Sequence, residues 1–157
     1  VIRGNISEIK TLYEWSENSY GVDAKKDDII TEDNQKKVIR MAKELAVKTK
    51  AVIVITGETD LVTDGETVYF IKNGVPEMAR ITGCGCMLDG VIAGFIGANQ
   101  GNILEATVTA VSAMGICGEY ARENAKGTGT LKVHLIDAMS NIDETWMERS
   151  NQIESRS

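Results

Sequence analysis

Ile81-Thr82-Gly83-Cys84-Gly85-Cys86-Met87-Leu88-Asp89-Gly90-Val91-Ile92-Ala93-Gly94 sets a glycine-rich turn directly before a run of small and apolar residues. Gly83 and Gly85 permit positive φ and close backbone approach. Their N–H groups, with those of Cys84 and Cys86, can converge on an anion at a helix start that already carries partial positive charge. The run predicts a helix from about Cys86 to Ala98. Cys86 falls in its first turn, where a thiol becomes more acidic than a free one. The expected chemistry is an anion hole of Gly83, Cys84, Gly85 and Cys86 suited to phosphoryl transfer, with Cys86 as base or orienting group. The plainer alternative is that the glycines only allow tight packing of a strand against a helix.

Upstream, Ala51-Val52-Ile53-Val54-Ile55 is a continuous β-branched run closed by Thr56-Gly57. That is the signature of a buried parallel strand, and ligands bind at the C-terminal ends of such strands. From Thr31 or Asp33 to Lys48, the residues Val38, Met41, Ala42, Leu45 and Ala46 recur at helical spacing. Val1 to Asn5 reads as a strand end, followed by a helix to Trp15 capped by Asn5 or Ser7 and a polar loop from Glu17 to Asp28. After Thr56, two turn dipeptides, Asp64-Gly65 and Asn73-Gly74, separate alternating segments and predict a β-meander whose last strand is Val75 to Ile81. Downstream the pattern predicts a long buried helix from Ile103 or Leu104 to about Asn124, a Gly127–Thr130 loop, a strand from Leu131 to Leu135 and a helix from Ile136 to Ile142 or beyond. The class is α/β, and no repeat, linker or domain boundary is evident across residues 1–157.

The 157 residues carry a formal net charge of −6, which argues against nucleic acid or an anionic membrane as partner and favours a small molecule. The longest apolar stretch, Val91 to Ala98, is far shorter than the roughly 20 residues a membrane helix needs. Three cysteines cannot all pair internally, so a reducing cytoplasm is expected. Cys84-x-Cys86 lacks redox CxxC spacing, and a single histidine does not complete a convincing zinc site.

Segments in fixed order carry a family resemblance. They are Ile2-Arg3-Gly4-Asn5-Ile6-Ser7-Glu8, then Ile53-Val54-Ile55-Thr56-Gly57-Glu58-Thr59-Asp60, then Thr63-Asp64-Gly65 with Asn73-Gly74, and finally Thr82-Gly83-Cys84-Gly85-Cys86. The chain resembles the C-terminal part of the hydroxyethylthiazole kinases, ribokinase-like enzymes of thiamine salvage. The resemblance implies a three-layer α/β/α fold with a mostly parallel sheet. It also implies transfer of the ATP γ-phosphate to the hydroxyl of 4-methyl-5-(2-hydroxyethyl)thiazole with Mg²⁺, in a homotrimer.

By the same resemblance Cys86 stands where many ribokinase-like enzymes have a proposed Asp base, Arg3 and Thr56 match ATP contacts, and Gly83 matches a substrate-site glycine. Asn5 and Glu8 match an NxxE motif tied to Mg²⁺ and phosphate. The opening strands, a substrate-contacting methionine and a further metal-associated acid of the family have no counterpart before Val1; a separate chain is one expected source. Two other readings stand beside this one: another ribokinase-like small-molecule kinase, and a truncated nucleotide-binding or oligomerisation module without turnover. Read without the resemblance, Arg3 is a surface charge or, from its place at a strand end, a phosphate contact through its forked donors, Glu8 could be a helix cap and Thr56 could equally be a strand end, while Cys84 and Cys117 read as packing residues and His134 as structural.

Overall fold

The computed structural model describes residues 1–16, 30 and 34–156, in two compact units: residues 1–70 with 155–157, and residues 71–154. The polar stretch Glu17 to Asp28 and positions 31–33 lie outside the described residues. Strands β1 (Ile2–Asn5), β2 (Ile53–Thr56), β3 (Asp60–Thr63), β4 (Val68–Ile71) and β5 (Ile153–Arg156) lie in that order in one sheet. Apart from Ile71, Ile153 and Glu154, the strand residues belong to the first unit.

In the first unit, β1 runs parallel to β2 in the register Ile2↔Ile53 to Asn5↔Thr56. The connection passes through α1 (Ile6–Ser16) and α2 (Gln35–Thr49), the crossover that parallel neighbours require. β2 then turns back antiparallel into β3, with Ile55 opposite Leu61. The core forms where the apolar stripes of both helices meet the buried sheet face. Ile6 and Ile9 of α1, with Val38, Ala42 and Leu45 of α2, pack with Ile53, Ile55, Leu61 and Phe70. Burying each such large side chain contributes about 1.5–3 kcal/mol. The Tyr13 hydroxyl donates to the Glu44 carboxylate and ties the two helices at their surface. α2 ends at Lys50, a non-glycine residue in the left-handed region at φ 54°, whose N–H donates to Ala46 O.

The second unit is largely helical: η1 (Pro76–Arg80), α3 (Cys84–Ala98), α4 (Ile103–Asn124), α5 (Thr128–Asn141) and α6 (Glu144–Ser150). α4 is its centre, and every residue from Ala110 to Gly118 is buried. The structure departs from the sequence expectation at three places. Within the expected strand Val75 to Ile81, Pro76–Arg80 form a 3-10 helix instead, because Pro76 has no N–H for a sheet ladder and its fixed φ suits the first helical position. Thr128 to Asn141 is one helix, so of the expected Gly127–Thr130 loop only Gly127 lies outside it, and the expected strand Leu131 to Leu135 is helical. Leu131, Leu135 and Ala138 are buried at spacings of four and three, a helical stripe that the alternation of Leu131, Val133 and Leu135 had imitated as a strand. α3 begins two residues earlier than expected, at Cys84, with Gly83 as its cap.

Asn73 organises this unit. Its Nδ2 donates to Glu119 Oε1 at 3.2 Å and to Ser150 O at 2.8 Å. Its Oδ1 accepts from Ser112 Oγ at 3.1 Å and from Gln152 N at 2.8 Å. The adjoining Gly74 N–H donates to Glu119 Oε1 at 2.8 Å. All the hydrogen-bonding capacity of a buried amide is thus used. Gly115 of α4 sits so close that a Cβ there would stand 2.6 Å from the Asn73 backbone. Gly118 is crowded differently, by the Met78 sulfur at 2.1 Å from the same hypothetical atom. Gly115→Ala is expected to cost about 2–4 kcal/mol, because rigid backbone must move, and Gly118→Ala only about 1 kcal/mol, because a flexible thioether can swing aside. Chemical denaturation of both variants checks this, and equal losses would contradict it.

Candidate functional site

Two groups of residues carry the site features, one in each unit. In the first unit the parallel register sets the C-terminal ends of β1 and β2 side by side, with Asn5 beside Thr56. Gly4 leaves space for an acidic side chain. A Cβ there would lie 3.0 Å from both Glu8 Cβ and Glu8 Oε2, so glycine relieves a tight approach of the Glu8 side chain to the strand end. Glu8 Oε2 accepts from Asn5 N at 2.7 Å, and Asn5 Oδ1 accepts from Glu8 N at 2.9 Å. This reciprocal pair is a capping box for α1 built from Asn rather than Ser or Thr. Thr56, half-buried, donates through Oγ1 to Gly4 O at 3.4 Å, a long bond that its proton can give up for a better acceptor at little cost. Arg3 lies on β1 opposite Val54 and is half-buried.

Magnesium prefers hard oxygen donors and keeps several of its waters. Among the described residues no cluster of three or more His, Cys, Asp or Glu could hold a metal ion. The Asn5–Glu8 pair fits an outer role. Glu8 is exposed and spends Oε2 on the Asn5 amide, so Oε1 is the oxygen that would meet a magnesium-bound water.

The turn after Thr56 contains Asp60, a residue to which the sequence assigns no role of its own. Asp60 Oδ1 accepts from Gly57 N at 2.8 Å. Although the residue as a whole is only half-buried, its carboxyl group is enclosed, and loss of solvation pushes its pKa up to about 7 against the opposing effect of the Gly57 hydrogen bond. No spacing rule singles out such a residue; the signal is burial, visible only once the hairpin is built.

In the second unit Gly83 adopts φ 87° and caps α3, a conformation that L side chains resist. No atom lies within 4 Å of where a Cβ on Gly83 would stand, so the space beside the turn is open. Cys84 N donates to Ile81 O at 3.1 Å and Met87 N to Gly83 O at 2.9 Å. Of the amides expected in the anion hole, that of Cys84 is therefore committed to the protein. Gly85 and Cys86, in the first turn of α3, are where a helix leaves its N–H groups without intrahelical partners. Cys86 is exposed, Cys84 half-buried and Cys117 buried. Burial raises the Cys84 pKa and pushes that of Cys117 to about 11, which makes both poor nucleophiles or bases. His134 lines a pocket of about 330 Å³ with Tyr120, Asn124, Asp137, Asn141 and Trp146. No helix among the described residues is long and apolar enough to cross a membrane.

The profile of the "Hydroxyethylthiazole kinase family" matches residues 1–145. This chain belongs to that family. It is 43% identical over 155 residues to "Hydroxyethylthiazole kinase 1" of Clostridium botulinum (strain Loch Maree / Type A3), a match covering 99% of this chain and 57% of the relative. A "Hydroxyethylthiazole kinase" of Clostridium acetobutylicum is 42% identical over 158 residues, with 99% and 58% covered. Among solved structures, "hydroxyethylthiazole kinase protein from pyrococcus horikoshii OT3" shares the fold with a TM-score of 0.83 at 24% identity, over 99% of this chain and 54% of that one. The expected α/β class therefore holds. The chain spans just over half the length of the hydroxyethylthiazole kinases it matches.

The enclosed Asp60 carboxyl has a consequence for stability. Between pH 3.8 and about 7 it binds more proton in the folded chain than in the unfolded one, so stability falls as pH rises through that window. The melting temperature of the wild type is expected to drop relative to that of Asp60→Asn as pH is raised from about 4 to about 7. Parallel melting curves across the range would contradict the burial.

Proposed function

We propose that this chain is the nucleotide-binding and catalytic part of a hydroxyethylthiazole kinase, moving the γ-phosphate of ATP to the hydroxyl of 4-methyl-5-(2-hydroxyethyl)thiazole. The observation that carries the reading is the turn at Gly83, left-handed and open, placed before a first helical turn that holds Gly85 and the exposed Cys86, in a chain of this family.

Phosphoryl transfer passes through a loose transition state, so the protein's work is to position the partners and meet charge. Backbone N–H groups at Gly83, Gly85 and Cys86 donate to the oxygens of the transferring group. A well-aimed donor of this kind contributes about 2.7–4 kcal/mol, more than the roughly 0.3–2 kcal/mol of a helix dipole. Gly83 also offers the thiazole alcohol a backbone surface it can approach closely. The Cys86 sulfur, acting as thiolate, accepts the hydroxyl hydrogen bond, which orients the alcohol, and takes its proton as the new P–O bond forms and the γ-phosphorus bond to the β-phosphate oxygen breaks to release ADP. Arg3, with its forked donors, and Thr56, through its hydroxyl, hold nucleotide phosphate. Glu8, braced by Asn5, would hold Mg²⁺ through a water, and the ion would supply positive charge to offset that of the phosphates.

On this reading residues 1–157 serve as one part of a ribokinase-like domain acting in the cytoplasm as a homotrimer. The opening strands and the further substrate contacts come from the portion that the relatives carry and this chain does not span, either in the same polypeptide or as a separate one.

Cys86→Ala, assayed by transfer of labelled γ-phosphate to the thiazole alcohol with the complementary portion supplied, is expected to lower kcat about 100-fold while the KM for ATP stays within about twofold. Unchanged turnover would remove Cys86 from the mechanism. A wild-type assembly that binds ATP but transfers no phosphate would favour a non-catalytic module, and turnover only with other alcohols would favour a different ribokinase-like kinase.

A further inference from the structure

Two adjacent hairpins solve the same problem in different ways. In the turn between β3 and β4, Asp64 Oδ1 accepts from Glu66 N and Thr67 N, each at 2.9 Å, and Asp64 is exposed to solvent. In the turn between β2 and β3, Asp60 performs a comparable backbone bond to Gly57 N at 2.8 Å with its carboxyl group enclosed. Asp64 keeps its carboxylate in solvent, whereas the half-buried Asp60 gives up part of its solvation at the bond it makes.

The bond it makes lies next to Thr56. On one side Thr56 is held by its hydroxyl to Gly4 O and by its place in the parallel register beside Asn5. On the other, the backbone leaves the sheet at Gly57, whose N–H is held by Asp60 Oδ1 at 2.8 Å within the turn that returns the chain antiparallel into β3.

We infer that Asp60 is a positioning residue for ligand binding at the end of β2: by holding the Gly57 N–H, its Oδ1 sets the Thr56–Gly57 backbone and thereby the place from which Thr56 offers its hydroxyl. This role rests on the reading of Thr56 as a nucleotide contact. It requires an acceptor at Asp60, and a negative charge is not needed.

The test is calorimetric titration of ATP with Mg²⁺ into the wild-type chain and into Asp60→Ala, Asp60→Asn, Thr56→Val and the Asp60→Ala/Thr56→Val double variant, with melting curves for each. Asp60→Ala is expected to weaken ATP about tenfold, the size of one lost hydrogen bond, while Asp60→Asn, which keeps an acceptor, stays within about twofold. In the Thr56→Val background Asp60→Ala is expected to add less than about twofold, because the two residues act on one contact. A purely structural role would instead lower melting and leave the two losses additive, which would overturn the inference.

Unchanged affinity in Asp60→Ala, or a tenfold loss in Asp60→Asn, would overturn it as well. If Asp60→Ala does not fold, Asp60→Ser, whose hydroxyl falls short of the Gly57 amide, replaces it with the same expected loss. A wild-type chain that binds no ATP, or a Thr56→Val chain that binds it normally, overturns the nucleotide reading itself. Weakened Thr56→Val beside unaffected Asp60 variants overturns the Asp60 role alone.

Discussion

The second unit depends on the side-chain amide of Asn73. It reaches Ser112 and Glu119 on α4, the last residue of α6 and the chain entering β5, so elements far apart in sequence close around one buried group. A buried amide left unpaired would cost about 1–3 kcal/mol for each missing partner, which makes the arrangement all or nothing. Gly115 completes it by letting α4 approach the Asn73 backbone. Because α3 packs on α4, the turn at Gly83 inherits its position from this network.

The first unit works on another principle. Its core is apolar, and a set of side-chain-to-backbone hydrogen bonds gathers where β1 and β2 end. There the Asn5–Glu8 box, the Thr56 hydroxyl and the Asp60–Gly57 bond each satisfy a backbone group that a strand end or helix start would leave open. Side chains engaged in this way are already ordered, and a ligand that uses them does not have to supply the ordering entropy.

Much of this was legible in the residues. The β-branched run at Ala51–Ile55, the stripe of Val38, Ala42 and Leu45, and the Asp64-Gly65 turn reported their structures directly, because each is decided within a few residues of itself. Three misses share a cause, that the deciding partner lies outside the local run. Leu131-Lys132-Val133-His134-Leu135 alternates like a strand, and only Ala138, beyond the run, shows that the buried face repeats at helical spacing. Asn73 read as an ordinary turn residue because its partners are 39 to 79 positions away. Asp60 was silent because enclosure of a carboxyl is a property of the assembled hairpin. Glu8 was visible both as a cap and as a metal-associated acid, and the structure places it in a capping box without removing its second oxygen from service.

α3 contains Gly85, Gly90, Gly94 and Gly97 within fifteen residues, and of its side chains only Leu88 and Ile92 are buried. Each glycine weakens a helix by about 0.8–1 kcal/mol relative to alanine, so the segment that presents Cys86 has little intrinsic reason to stay wound. Its order is borrowed from the flank of α4. On the proposed reading, a phosphate seated at its first turn would help keep the whole rod wound, and exchange of its amide hydrogens with solvent would gauge that occupancy.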